Sequence, residues 1–259
     1  MVDAATNPQT VAHHALDLKG VARSFGALVA LEDISLSFAP GERHAILGPN
    51  GAGKTTLFNV ITGDFPPSAG RVYFFGEDVT SLPPYDRIRR GLRRTYQSSL
   101  LFHSLSVLDN FYLACRGVTR GRFGMLRPRR NNAAIERARE LARLAGLGSV
   151  VMSKVADLSH GQQRQLEIGL ALAGAPRLIL FDEPAAGLSP AERRDLIALL
   201  TGLPEHVGYI VIEHDLDVAL RVANKVTVMN NGRLFKQGSA AEIQRDPEVQ
   251  AIYLGARHG

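Results

Sequence analysis

Nine consecutive residues, Gly48-Pro49-Asn50-Gly51-Ala52-Gly53-Lys54-Thr55-Thr56, place three glycines ahead of a lysine and two hydroxyls. The pattern G-x-x-x-x-G-K-[ST] is that of a phosphate-binding loop. Glycines let the backbone curl until several N–H groups point inward at phosphate oxygens. Lys54 then supplies a point charge for the β- and γ-phosphates of a nucleotide, and the Thr55 hydroxyl is a ligand for Mg²⁺. A plain glycine turn would require neither the lysine nor the threonine.

Two further segments supply chemistry. Leu178-Ile-Leu-Phe181 runs into Asp182-Glu183-Pro184. Alone, such a triplet reads as a solvated acidic turn. Downstream of a phosphate loop, it reads as a strand ending in a Mg²⁺-holding Asp182, followed by Glu183 placed to orient and deprotonate an attacking water. In Leu158-Ser159-His160-Gly161-Gln162, Ser159 with Gln162 three residues later forms a capping box at a helix start. A capped helix N-terminus is also an anion site, so Ser159 and the Gly161 amide are candidates to face a γ-phosphate. Kinases and GTPases that share the phosphate loop carry no such segment.

These residues need a frame. Short apolar runs alternate with helical stretches, which predicts an α/β fold with a mostly parallel sheet. The candidate strands are Leu31–Phe38, Arg43–Leu47, Arg71–Phe75, Arg177–Phe181, Tyr209–Ile212 and Lys225–Met229. Lys54–Thr62 reads as a helix closed by Gly63, and Pro190–Leu200 as a helix with proline in its first turn. The phosphate loop therefore lies between a strand and a helix, as its chemistry demands. The middle of the chain differs. Helical patterns at Val107–Cys115 and Asn132–Leu144 flank a break, Arg116–Arg130, with six arginines and no acid. We read a helical subdomain over 98–160 inserted in a single cassette spanning 1–259. The arginine-rich break reads either as a solvated loop or as a contact for anionic lipid or an acidic protein surface.

Bulk properties narrow the classes. The single cysteine, Cys115, excludes an intramolecular disulfide and fits a reducing cytoplasm. The start, MVDAATNPQTVAHHALDL, shows no charged-then-apolar leader, and no apolar run reaches the roughly 18 residues that cross a bilayer. A membrane role is therefore expected to be peripheral. The 30 basic residues are spread among 25 acids, so a net charge of +5 does not define a nucleic-acid surface, and no nucleic-acid partner is expected.

From about Leu16 onward the chain resembles the ABC transporter ATPases. Their LSGGQ signature stands here as Leu158-Ser159-His160-Gly161-Gln162, with His160 in place of a glycine. The resemblance implies a P-loop NTPase (RecA-like) core with an N-terminal β subdomain and the inserted helical one, with ATP and Mg²⁺ as ligands. It makes Phe25 the ring that stacks on adenine and assigns Gln97, in Arg94-Thr-Tyr-Gln97, to Mg²⁺ and to signalling toward the membrane subunit. It makes His214, in Ile212-Glu-His-Asp215, the histidine that hydrogen-bonds the γ-phosphate. In that resemblance Glu183, His214 and Lys54 are expected to be the catalytic set. It also implies that Gly48 through Thr56 hold the nucleotide, with Ser159, Gly161 and Gln162 acting across a dimer on the partner's ATP. Gly187-Leu-Ser189-Pro190 matches the D-loop, with Ser189 where many members have aspartate.

The extended signature Gly161-Gln-Gln-Arg164, Asp182-Glu-Pro-Ala-Ala-Gly-Leu188 and the tail Asp246–Gly255 look like the branched-chain amino acid (Liv-type) uptake ATPases. That implies permease subunits at the cytoplasmic face of the inner membrane and, indirectly, a periplasmic solute-binding protein. It also implies a second ABC ATPase in a heterodimer, a homodimer being the alternative. Other readings of the chain are a lipopolysaccharide-export ATPase, a soluble ABC ATPase and a basic nucleic-acid-binding module.

Overall fold

The computed structural model describes residues 14–95, 101–117 and 132–255. Gln97 and residues 118–131 of the arginine-rich break lie outside the described residues. Two sheets form the frame. A six-stranded sheet has the order β10-β9-β3-β8-β7-β6, built from β3 (Arg43–Leu47), β6 (Leu92–Thr95), β7 (Leu178–Asp182), β8 (Gly208–Ile212), β9 (Lys225–Asn230) and β10 (Arg233–Ser239). All its neighbours run parallel except β10, which closes one edge against β9. A four-stranded antiparallel sheet has the order β2-β1-β4-β5, from β1 (Leu16–Phe25), β2 (Leu28–Phe38), β4 (Ala69–Phe74) and β5 (Glu77–Asp78).

The central strands are buried on both faces, and their alternating side chains build two cores. Ile46, Leu178, Leu180, Ile210 and Ile212 face one way, onto α1 (Lys54–Thr62) and the antiparallel sheet beyond it. Ala45, Leu47, Ile179, Phe181, Tyr209 and Val211 face the other. There they meet α3 (Val107–Gly117), α4 (Asn132–Leu144), α5 (His160–Ala171), α6 (Pro190–Thr201) and α7 (Leu216–Val222). Continuous apolar strands of this kind mark a parallel sheet covered on both sides. Each fully buried Leu, Ile or Phe adds on the order of 1.5–3 kcal/mol. The short α2 (Pro84–Arg89) and the terminal α8 (Ala240–Arg245) and α9 (Pro247–Gly255) complete the described α-helices.

Helix α1 is fixed at both ends. Gly63 closes it in the left-handed conformation, φ 85°, as its sequence position predicts. The fully buried Arg87 of α2 then covers its C-terminus, donating to the carbonyls of Val60 (2.8 Å) and Ile61 (2.6 Å), and also to Leu82 and Thr80. Burial lowers the Arg87 pKa to about 10, which still leaves a cation against the negative end of the helix dipole.

The predicted helices Lys54–Thr62 and Asn132–Leu144 have the observed limits, and most predicted strands differ by one to three residues at an end. Strand β2 begins at Leu28 rather than Leu31, because it continues into the hairpin with β1. Strand β7 runs through Asp182, whose backbone still pairs with β8.

Candidate functional site

The candidate site stands at the carboxyl ends of three adjacent strands. Central β3 opens the 48–55 loop, its neighbour β8 leads to Glu213 and His214, and β7 ends at Asp182 with Glu183 following. Ladder hydrogen bonds run past the strand ends, Glu183 N–H to Ile212 O (2.9 Å) and Glu213 N–H to Ile46 O (3.3 Å). Residues more than 130 positions apart in the chain are therefore held in register by backbone alone. Ligand sites of open α/β sheets form at such carboxyl ends.

The loop is tightly built. Gly53 precedes α1 at φ 97°, and a Cβ there would stand 2.6 Å from Ala30 O of β2. Only glycine therefore fits. Asn50 and Gly51 are exposed at the tip, Thr55 is exposed and Thr56 half-buried in the first turn of α1, and Pro49 accepts from the Ala52 amide. The buried Lys54 donates to Gly48 O (2.7 Å) and Pro49 O (3.0 Å), spanning the loop from beneath. Burial lowers its pKa, and the charges of Glu183 and Asp182 partly offset that effect.

Across from the lysine, Asp182 is buried. Its Oδ2 accepts from Arg94 of β6 at 2.8 Å, while its Oδ1 is buried and accepts no hydrogen bond. Glu183 turns out of the strand with φ 46°, a left-handed conformation in a non-glycine residue. Its carboxylate lies 3.7 Å from His214 Nδ1, and the imidazole is exposed. Glu213 is fully buried, accepting from the Ala185 amide (2.9 Å), and its second oxygen is unpartnered. Desolvation raises its pKa to about 7, with the Glu183 and Asp215 charges adding to the effect.

The signature segment lies against the D-loop. Ser159 caps α5 and accepts from the Gln162 amide, while the Gln162 side-chain oxygen accepts from the Ser159 amide. This is the predicted capping box, and it engages the Gln162 carboxamide oxygen. Where a Cβ would stand on Gly187, the His160 ring is 3.4 Å away, so the unusual histidine lies beside the D-loop.

Sequence reasoning missed three residues. Arg94 joins Asp182 to Asp64 and Asn59. Arg164, one turn into α5, donates to Pro184 O (2.9 Å) and Glu183 O (2.7 Å), tying the signature helix to the turn that carries Glu183. Glu192 contacts both Ser159 and Gly161. Only Glu192 had a local signal, as Ser189-x-x-Glu192 is itself a capping box. Phe25, at the end of β1, is 41% exposed, meets Phe65 edge-on and has the Arg23 guanidinium 4.6 Å from its centroid.

A central phosphate loop, with acid and histidine on the two adjoining strand ends and a capped helix behind them, defines a P-loop ATPase of the cassette type. Comparison with known proteins gives the family. The ABC transporter profile matches residues 31–186, and the profile of the branched-chain amino acid ATP-binding cassette transporters matches 237–259. The chain is 33% identical over 248 residues to the high-affinity branched-chain amino acid transport ATP-binding protein LivG of Escherichia coli (strain K12), covering 93% of this chain and 97% of that protein. Among solved structures it resembles the ADP conformation of MJ1267, an ATP-binding cassette of an ABC transporter. The TM-score there is 0.82 at 31% identity, over 93% of this chain and 99% of that one. It also resembles a dimeric post-hydrolysis cassette, MJ0796, bound to ADP and Pi. That match has a TM-score of 0.73 at 26% identity, over 87% and 98% of the two chains.

The chain belongs to the ABC transporter family. It is the ATP-binding, ATP-hydrolysing subunit of a transporter, a type of subunit that works with membrane permeases. Among the described residues, no helix is long and apolar enough to cross a membrane.

Proposed function

We propose that this chain powers uptake of branched-chain amino acids, or of a related small solute, by hydrolysing Mg·ATP at the cytoplasmic face of the inner membrane. The names of its relatives and the match of its C-terminal segment support the solute class. The placement of Glu183 and His214 beside Lys54 on neighbouring strand ends carries the catalytic reading.

The residues present fit a Mg²⁺ ion. Asp182 keeps one buried oxygen without a partner, a hard anionic donor near enough to Lys54 for their charges to interact. Mg²⁺ is commonly held by one or two carboxylates with phosphate oxygens and water. Thr55 and Asp182 would hold it, with Gln97 as a further ligand, and it would neutralise charge on the β- and γ-phosphates. The loop 48–56 binds the phosphates through its backbone amides, Pro49 excepted, with Lys54 moving from its loop carbonyls to the γ-phosphate, and the part-exposed Phe25 ring stacks on adenine. Glu183 orients and deprotonates the attacking water, and His214 donates to the γ-phosphate as charge develops.

The resemblance to a dimeric cassette supports composite sites, in which Ser159, Gly161 and Gln162 of one subunit complete the ATP site of the other. Closure around ATP and opening after hydrolysis would reach the permease through Gln97 and the helical subdomain at 98–160. A periplasmic binding protein would deliver the solute. The test is Glu183→Gln. ATP binding is expected to persist while phosphate release falls at least about a hundredfold. Turnover at the wild-type rate would remove Glu183 from the mechanism.

A further inference from the structure

We propose that the Glu192 carboxylate is an internal stand-in for the γ-phosphate at the signature, one that the partner's nucleotide must displace before the dimer closes. The inference rests on the composite-site reading above.

The geometry is that of an occupied anion site. Glu192 Oε1 accepts from the Gly161 amide at 2.9 Å and from Ser159 Oγ at 3.3 Å. These are the two donors that the composite reading assigns to phosphate. The carboxylate comes from the D-loop side, on the first turn of α6. It approaches so closely that a Cβ on Gly161 would stand 2.5 Å from Glu192 Cγ. Glycine here leaves room for the carboxylate as well as for a phosphate.

The other half of the group explains how it can leave. Glu192 Oε2 accepts from the Ser189 amide at 3.0 Å and Ser189 Oγ at 2.8 Å, the capping box of its own helix. One oxygen serves α5 and the other α6, so Glu192 can give up the signature without uncapping α6. These donors together hold its pKa down to about 2, the Ser189 amide contributing most, so the group is an anion throughout the working pH range. A γ-phosphate cannot share the Gly161 amide with a fixed carboxylate of like charge. Closure therefore requires Glu192 to turn away, and the separated subunit keeps its signature helix capped until nucleotide arrives in trans.

Glu192→Gln separates this role from capping, since glutamine also completes a capping box. In the assembled transporter in lipid vesicles, Glu192→Gln is expected to lower KM for ATP at least threefold, without loss of kcat, and to raise hydrolysis in the absence of solute. An unchanged or higher KM would overturn the proposal and leave Glu192 a cap only. A second measurement is hydrogen exchange of the full chain without nucleotide. The Gly161 amide, which lies in the first turn of α5, should be protected in wild type and lose protection in Glu192→Ala. An unprotected wild-type amide would also overturn the proposal. Ser159→Arg is the control for the underlying reading. If it leaves turnover intact, composite sites fail, whatever Glu192 does.

Discussion

Asp182 and Glu183 are neighbours in sequence and occupy opposite environments. One is buried with an arginine on one oxygen; the other is twisted out beside an exposed histidine. The difference comes from the strand ending between them. Glu213, on the next strand, carries a different consequence. Its folded pKa of about 7 lies above the ordinary glutamate value, so between roughly pH 4.5 and 7 the folded state binds more protons than the unfolded one. Stability must therefore fall as pH rises through that window, by up to about 3 kcal/mol from this group. Glu213→Gln removes the dependence. Its melting temperature relative to wild type is expected to shift in its favour by several degrees between pH 5 and pH 8. Parallel melting curves at both pH values would contradict this. At this scale the sequence was legible where a short pattern carries the chemistry, as in residues 48–56 and 182–183. Arg94 and Arg164 were not, because each acts on backbone or carboxylate far away in the chain, and an arginine among arginines carries no local mark.

Elements were legible in proportion to the regularity of their burial. Helix α1 begins at the loop its glycines dictate and ends at Gly63, so both limits follow from sequence. Strand β1 escaped notice because its two-residue alternation fails midway. Register shifts fall between Leu18 and Val21 and again before Arg23, around Gly20 at φ 58°. Strand β10 is an edge strand with no buried residue, so it offers no apolar alternation to find. The seven-residue α7 is too short for a helical period to declare itself. The most testable element is the arginine lock on α1. Arg87→Met keeps an unbranched apolar stem but strands four carbonyls without their donor. A loss of about 3 kcal/mol or more is expected, seen as a lower urea midpoint. An unchanged midpoint would mean that water replaces the guanidinium at no cost.

At the scale of the molecule, both halves of a composite site are present in this one chain. On the proposed reading, the phosphate loop, Asp182, Glu183 and His214 would form one half, and Ser159 with Gly161 the other. Self-association is therefore chemically permitted, and the choice of partner rests on the likeness to Liv-type ATPases. We expect the transporter purified from its native membrane to contain one copy of this chain beside one sister ATPase. Native mass measurement decides it, and two copies with no second ATPase would establish the homodimer. The mostly parallel sheet was legible in outline, since alternating strands and helices predict it; the second, antiparallel sheet was implied only by the resemblance to ABC ATPases. The order of the strands was not, because nothing local says that β3 lies between β8 and β9.

That strand order has a consequence for the birth of the protein. Among the described residues, strand β3 pairs with β8 and β9, and about 160 residues of chain separate it from β8. At roughly 5–20 residues per second, the ribosome needs on the order of ten to thirty seconds to cover that distance. For all of that time the strand beneath the phosphate loop has neither of its neighbours. The four-stranded sheet, completed by Asp78, can assemble first and shelter β3 and α1 from beneath. The nucleotide site itself cannot exist until synthesis is nearly finished.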